Sequence, residues 1–475
     1  VSEWGVDSTL TVRAHTAWTK EGGIELRTRE SSKAPWKPLI TVGLEENLSF
    51  VDFTEDGRAV ILQSSINADT ERLIEKNLKN GAERVLAFSE KSDVVDLLGY
   101  PSRHGVRGAS FDVDGRVRWQ PVEPSMKGDL EALHAALSGD FGVVSMDGAD
   151  AKWIIAETRD VGPVQYWLYE RKTKKPTLLF SSQPKLEGQP LAAMKPVSIP
   201  ARDGLTLPAF LSVPNGRPAK NLPFVLLVHG GPWGRDRWGS DAEVQWLANR
   251  GYAVLQVNFR GSTGYGKRFL NAGNKQWGRA MHDDLLDAVS WAVKEGVADP
   301  KKVAIMGTSY GGYATLAGLA FTPDTFACGV DVVGPANLFT LLSTVPPYWA
   351  AFRRMLVRRM GDPDDPADKE LLTTASPLFS AQKIKAPLLI GQGQNDPRVK
   401  PAEAEQIVGA LEKNGLPVTY VVYPDEGHGF ARPENRVDFY ARAEGFLAKC
   451  LGGRAEPMPK DNKSSAVVKV IAAKK

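Results

Sequence analysis

Ser309 stands between glycines in Gly307-Thr308-Ser309-Tyr310-Gly311, directly after the apolar run Val303 to Met306. A serine hydroxyl is a poor nucleophile until a base takes its proton, a third group orients that base, and donors hold the oxyanion that forms. The pattern G-x-S-x-G after a strand and before a helix supplies the first requirement, a hydroxyl lifted out on a tight turn. The turn is so sharp that side chains two residues either side of the serine would collide, which accounts for glycine at both places. The bland alternative is a flexible glycine-rich turn with an incidental serine.

The base follows by elimination among six histidines. His15, His104 and His134 belong to the first part of the chain, and His282 opens a predicted helix ahead of the nucleophile strand. His229 precedes Gly230-Gly231-Pro232 and suits an oxyanion loop. His428, between Gly427 and Gly429, follows both the serine and a later strand end. That is the Ser…Asp…His order of α/β-hydrolases. For the orienting carboxylate, Asp396 directly follows the strand "APLLIGQG" (386–393) and takes precedence. Asp425, three residues before the histidine, is its rival, and the group at 362–368 reads as a solvated loop. The oxyanion donors are expected to be the backbone N–H of Tyr310 and that of Gly231. No constellation of Cys and His suited to a metal is present, and no cofactor is called for.

Two grammars surround these residues. Residues 1–190 read as short strands broken by turns, with "FTEDGR" (53–58) and "FDVDGR" (111–116) repeating one Asp-Gly turn pattern. At ~40–45 residues per blade, this part holds about four blades of a β-propeller and is expected to be an incomplete ring; an irregular β-sandwich is the alternative. From 191 to 455, apolar runs at 224–231, 252–261, 303–309, 327–334, 386–393 and 417–424 alternate with amphipathic stretches such as 283–296 and 401–415. Such alternation indicates a mainly parallel sheet flanked by helices, whose chemistry gathers at the carboxyl ends of strands. The expected fold class is therefore an α/β-hydrolase fold preceded by an all-β, partial β-propeller domain. Residues 456–475 are expected to be a flexible tail.

The 475 residues suffice for two domains, and a net charge of +3 with dispersed basic residues gives no support for nucleic acid. No run reaches the ~20 apolar residues of a membrane span. The two cysteines are Cys328 and Cys450. Cys328 lies in the apolar stretch "FACGVDVVG", so a buried free thiol is expected over a disulfide. The chain opens "VSEWGVDSTL", without Met and without the apolar core of a signal peptide, which implies a removed leader or a piece of a longer protein.

Six stretches, "HGGPWG" (229–234), "NFRGSTGYG" (258–266), "GTSYGGY" (307–313), "VGPANL…PPYW" (333–349), "NDPRV" (395–399) and "GHGF" (427–430), resemble in order the prolyl oligopeptidase family of serine peptidases. The branch they are most similar to is that of the acylaminoacyl and dipeptidyl peptidases. The resemblance spans about residues 195–450 and implies cleavage of short peptides, with a propeller restricting entry. It implies that Arg398 holds a substrate carbonyl, that Tyr310 and Val399 line the pocket for the residue under attack, and that Phe339, Tyr348 and Trp349 help to close that pocket. A surface ion pair for Arg398 and plain core packing for the aromatics are the alternatives. The family's propellers usually have seven or eight blades, so the start of a longer chain is expected to be missing. The resemblance leaves open a homo-oligomer. A carboxylesterase acting on small acyl esters through the same triad is the alternative activity. The intact triad argues against a third reading, a binding protein with an inert hydrolase half.

Overall fold

The computed structural model describes residues 2–345 and 349–472. Its first part consists of sheets of sequential antiparallel strands. β1 to β4 (Glu3–Val6, Val12–Trp18, Ile24–Thr28, Lys37–Val42) form the first sheet, and β5 to β8 (Leu48–Phe53, Ala59–Ser64, Arg72–Asn77, Glu83–Ala87) the second. β9 to β11 (Val94–Gly99, Val106–Val113, Arg116–Pro121) form a three-stranded third, and β12 to β15 (Asp140–Met146, Lys152–Thr158, Gln165–Glu170, Lys175–Ser181) the fourth. Helix α1 (Lys127–Ala136) lies between the last two sheets in sequence. Asp56-Gly57 and Asp114-Gly115 make the turns into β6 and β11, with Gly57 and Gly115 at φ of +65° and +80°. These are conformations that glycine adopts without steric cost.

The second part is built on a nine-stranded sheet. Its strands are β16 (Met194–Pro200), β17 (Thr206–Ser212), β18 (Leu222–Val228), β19 (Ala253–Val257), β20 (Ala298–Thr308), β21 (Cys328–Val332), β22 (Leu388–Gly393), β23 (Val418–Tyr423) and β24 (Val467–Ile471). They lie in the order β16-β17-β19-β18-β20-β21-β22-β23-β24. The six strands from β19 to β23 in that order run parallel, and β16, β17 and β24 are antiparallel additions at the two edges. Adjacent residues of the central strands serve opposite faces. Leu226, Leu255, Ile305 and Ile390 pack toward α4 (Ala280–Lys294), α5 (Tyr310–Phe321) and α9 (Pro401–Lys413). Val225, Val254, Ala304 and Leu389 pack toward α2 (Ala242–Asn249) and α10 (Pro433–Leu451), while α3 (Gly266–Asn271) follows β19 and α6 (Leu338–Ser343), α7 (Ala350–Met360) and α8 (Pro366–Ala375) lie between β21 and β22. Burial on both faces is why these strands read as unbroken apolar runs.

The structure corrects two expectations. Residues 467–471 do not form part of a flexible tail: β24 pairs antiparallel with β23 from Val418 opposite Ile471 to Val422 opposite Val467, and β-branched residues suit such a ladder. Cys328 is not a free thiol. It is disulfide-bonded to Cys450, 122 residues later, with the two Cα atoms 6.4 Å apart. Cys328 opens β21 on the face that α10 covers, and Cys450 lies in the last turn of α10, so the packing of that helix brings the thiols together.

The two parts are joined by polar contacts from the segment after β19. Asp69 accepts the backbone N–H of Arg268 at 2.8 Å, the N–H of Asp93 donates to Gly264 O at 3.0 Å, and Lys267 pairs with Glu46 at 2.6 Å. Arg235, in the loop after β18, forms a buried ion pair with Asp112.

Candidate active site

β20 delivers Ser309 to the mouth of α5. The residue has φ +62° and ψ −116°, a strained backbone for a side chain other than glycine. The surroundings impose this. A Cβ on Gly307 would lie 2.5 Å from Val228 O and 2.6 Å from the Cα of Gly311, and a Cβ on Gly311 would lie 2.0 Å from Val228 O. The neighbouring strand β18 thus leaves room on either side of the serine for glycine alone. The N–H of Ser309 donates to Val332 O at 2.8 Å, tying the turn to β21.

β22 and β23 end beside this turn. The loop after β22 carries Asp396, 4% exposed, and the loop after β23 carries His428. His428 Nε2 lies 3.0 Å from Ser309 Oγ, and His428 Nδ1 lies 2.7 Å from Asp396 Oδ2. The other carboxylate oxygen of Asp396 accepts the N–H groups of Arg398 and Val399 at 2.8 and 2.9 Å. The carboxylate is thereby fixed in rotation with one oxygen aimed at the imidazole. In this geometry Nδ1–H donates to the carboxylate, leaving Nε2 to accept the serine proton. Buried Glu426 secures the histidine loop by accepting the N–H groups of Ala431 and Arg432, both at 2.8 Å. The rival Asp425 is committed elsewhere, to Arg432 at 2.7 Å and Asn435 at 2.9 Å.

Tyr310 opens α5, and the first N–H groups of a helix have no intrahelical partner. Gly231 lies in the loop after β18, and both residues line one cavity with Ser309 and His428. His229 is not among the residues that line this cavity. Its Nδ1–H donates to Gly230 O at 2.8 Å, its ring stacks on Phe259, and burial pushes its pKa down to about 4.

The cavity has a volume of about 720 Å³. Arg398, Val399 and Trp349 line it, as does Tyr310, whose buried ring meets Trp277 edge-on at 4.6 Å. Arg398 is exposed and has no ion-pair partner among the described residues. Phe339 does not join the lining: half-buried, it packs against the core with its ring 6.3 Å from that of Phe379. Tyr348 lies outside the described residues. Trp18 and Phe352, which carry no signal in the sequence, also line the cavity. Trp18 ends β2 in the other half of the chain, and no local signal connects it to a site so distant in sequence. Among the described residues, no group of three or more His, Cys, Asp or Glu side chains could hold a metal ion, and no helix is long and apolar enough to cross a membrane.

Residues 238–454 match the prolyl oligopeptidase family. Dipeptidyl aminopeptidase BIII of Pseudoxanthomonas mexicana is 49% identical over 98% of this chain and 69% of its own length. The chain belongs to the prolyl oligopeptidase family. It is a serine-type peptidase of that family. Dipeptidyl peptidase family member 6 of Caenorhabditis elegans is 47% identical over 70% of this chain and 48% of its own length. Among solved structures, a puromycin-hydrolyzing peptidase of Mycobacterium tuberculosis superposes with a TM-score of 0.80 over 96% of this chain and 71% of that one, at 22% identity. An acylaminoacyl peptidase in complex with Z-Gly-Gly-Phe-chloromethyl ketone gives 0.69 over 94% and 71%, at 20% identity. These likenesses support the fold class read from the sequence, a β-propeller part joined to an α/β-hydrolase.

Proposed function

We propose that this family member releases dipeptides from the free amino end of short peptides, with Ser309 as nucleophile, His428 as general base and Asp396 as the group that orients it. The observation that carries the reading is the unbroken line of hydrogen-bond distances, 3.0 Å from hydroxyl to imidazole and 2.7 Å from imidazole to carboxylate. Similarity to two dipeptidyl peptidases supports the dipeptide as the unit released.

His428 Nε2 takes the Ser309 proton as Oγ bonds to the substrate carbonyl carbon, and the N–H groups of Tyr310 and Gly231 receive the oxygen as it becomes negative. The imidazolium, stabilised by Asp396, returns the proton to the departing amine as the C–N bond breaks. Water, giving a proton to the same Nε2, then attacks the acyl-enzyme, and the proton passes back to Ser309 Oγ as the acid leaves. Arg398, at the cavity wall and without an ion-pair partner among the described residues, holds a carbonyl of the bound peptide. Val399 and Trp349 contact the side chain next to the bond that breaks.

The test compares a dipeptidyl p-nitroanilide with the same compound acetylated at its amino group. The free amine is expected to be the better substrate by about tenfold or more in kcat/KM. Equal or faster turnover of the acetylated compound would replace this reading with release of acylated residues.

A further inference from the structure

Glu403 is 2% exposed, lies in the first turn of α9, and has no ion-pair partner among the described residues. A buried carboxylate without a cation is costly unless several hydrogen bonds hold its charge. Three donors converge on this one. The N–H groups of Ala336 and Asn337 reach one oxygen at 3.1 and 2.8 Å, and the hydroxyl of Thr340 donates to the other. The two N–H donors lie at and just before the N-cap of α6 (Leu338–Ser343), where backbone N–H groups lack intrahelical partners, and Thr340 lies in its first turn.

The position of that segment matters because of what it carries. Pro335 precedes it, and Leu341, Thr344 and Val345 lie within or just after α6; all four line the cavity that holds Ser309. The loop that leads into this turn of α9 is equally constrained. Val399, four residues earlier, gives its N–H to Asp396 and accepts the amide of Gln392 at 3.1 Å. The first turn of α9 therefore grips the cavity wall through the Glu403 side chain, and the residues just before it are tied to the Asp396 loop through the backbone of Val399.

We propose that Glu403 is a positioning residue for the acyl-side residue of the substrate: it holds the wall formed by Pro335, Leu341, Thr344 and Val345 at a fixed distance from Val399. Its effect falls on substrates with a large apolar side chain beside the bond that breaks. A small acyl ester, which reaches Ser309 without filling the cavity, does not use it. The inference rests on the peptidase reading above, which wild-type enzyme tests first: failure to cleave any dipeptidyl p-nitroanilide overturns both.

With that activity in hand, Glu403→Ala, Glu403→Gln and Thr340→Val are compared on Gly-Phe-p-nitroanilide, Gly-Gly-p-nitroanilide and p-nitrophenyl acetate. Glu403→Ala is expected to raise KM for the Phe substrate about tenfold, to change the Gly substrate and the ester by less than about twofold, and to leave labelling of Ser309 by a fluorophosphonate at the wild-type rate. Glu403→Gln keeps an acceptor for the two N–H groups and is expected to recover most of the loss, whereas Thr340→Val shows a smaller loss of the same kind. A merely structural cap predicts instead that all three substrates fall together with the melting temperature, and that result overturns the proposal. Should Glu403→Ala fail to fold, the other two variants decide: a lower preference for Phe over Gly supports the assignment, and an unchanged preference overturns it.

Discussion

Gly307 and Gly311 face each other across Ser309 so closely that a Cβ on the first would stand 2.6 Å from the Cα of the second. The contact explains why the serine has φ +62° and why its hydroxyl stands clear of both neighbouring elements. For Gly311→Ala the added carbon would lie 2.0 Å from the backbone oxygen of Val228, in a central strand that has nowhere to move. The variant is expected to lose about 3 kcal/mol of stability or more. It is also expected to lose at least about a hundredfold in kcat through displacement of the serine. Chemical denaturation and active-site titration measure the two effects, and a variant with wild-type values for both would show that the turn has slack.

Arg398 is exposed, lines the cavity that holds Ser309, and has no acidic partner among the described residues. If it holds a peptide carbonyl, Arg398→Ala costs one charge-assisted hydrogen bond, about tenfold to hundredfold in kcat/KM for a dipeptidyl p-nitroanilide. Hydrolysis of p-nitrophenyl acetate, which lacks that carbonyl, is expected to stay within about twofold. Parallel losses on both substrates would assign Arg398 to the integrity of the loop rather than to binding.

The disulfide between Cys328 and Cys450 closes a loop of 122 residues across one face of the sheet. Restricting the unfolded chain over that length contributes roughly 4–5 kcal/mol in the chain-entropy account. The double variant Cys328→Ala, Cys450→Ala is expected to unfold at lower denaturant concentration than the wild type while retaining its kcat, since neither cysteine lines the cavity that holds Ser309. Equal stability in the absence of reductant would contradict this.

Asp331, fully buried in β21 beside β20, accepts one hydrogen bond among the described residues, from the N–H of Gly334 at 2.8 Å. Burial pushes its carboxyl up to about 7. The folded state therefore holds this proton to higher pH than the unfolded chain does. The resulting stabilisation is complete below about pH 4 and is lost as pH rises to about 7. Asp331→Asn removes that dependence. Its stability relative to wild type is expected to rise between pH 5 and pH 8, with the whole effect no larger than roughly 4 kcal/mol. Denaturation midpoints at the two pH values provide the check, and a difference independent of pH would refute burial of this carboxyl as the cause.

The sheet and the three converging side chains were legible because each leaves a local mark. Strands buried on both faces read as short apolar runs, and Ser309, Asp396 and His428 each follow such a run among glycines or polar residues. What escaped has no local mark. Cys328 looks like core, and its partner is adjacent only because α10 folds back beneath β21. β24 follows a polar stretch, and its short run of valines becomes a strand only through the free edge that β23 offers. Phe339 is as apolar as a pocket residue, yet pattern does not say toward which side a short helix turns its ring. Glu403 reads as an ordinary surface acid in the first turn of an amphipathic helix, and only the tertiary fold places three donors around it.

The most direct measurement is kcat/KM of Ser309→Ala, His428→Gln and Asp396→Asn against wild type on one dipeptidyl p-nitroanilide, each variant first shown to be folded by its circular dichroism and melting temperature. If the three side chains act as one unit, each folded variant falls by about a thousandfold or more, and combining two of the changes adds little further loss. A folded Ser309→Ala protein that still cleaves the peptide at a rate comparable to wild type would contradict the account at its centre.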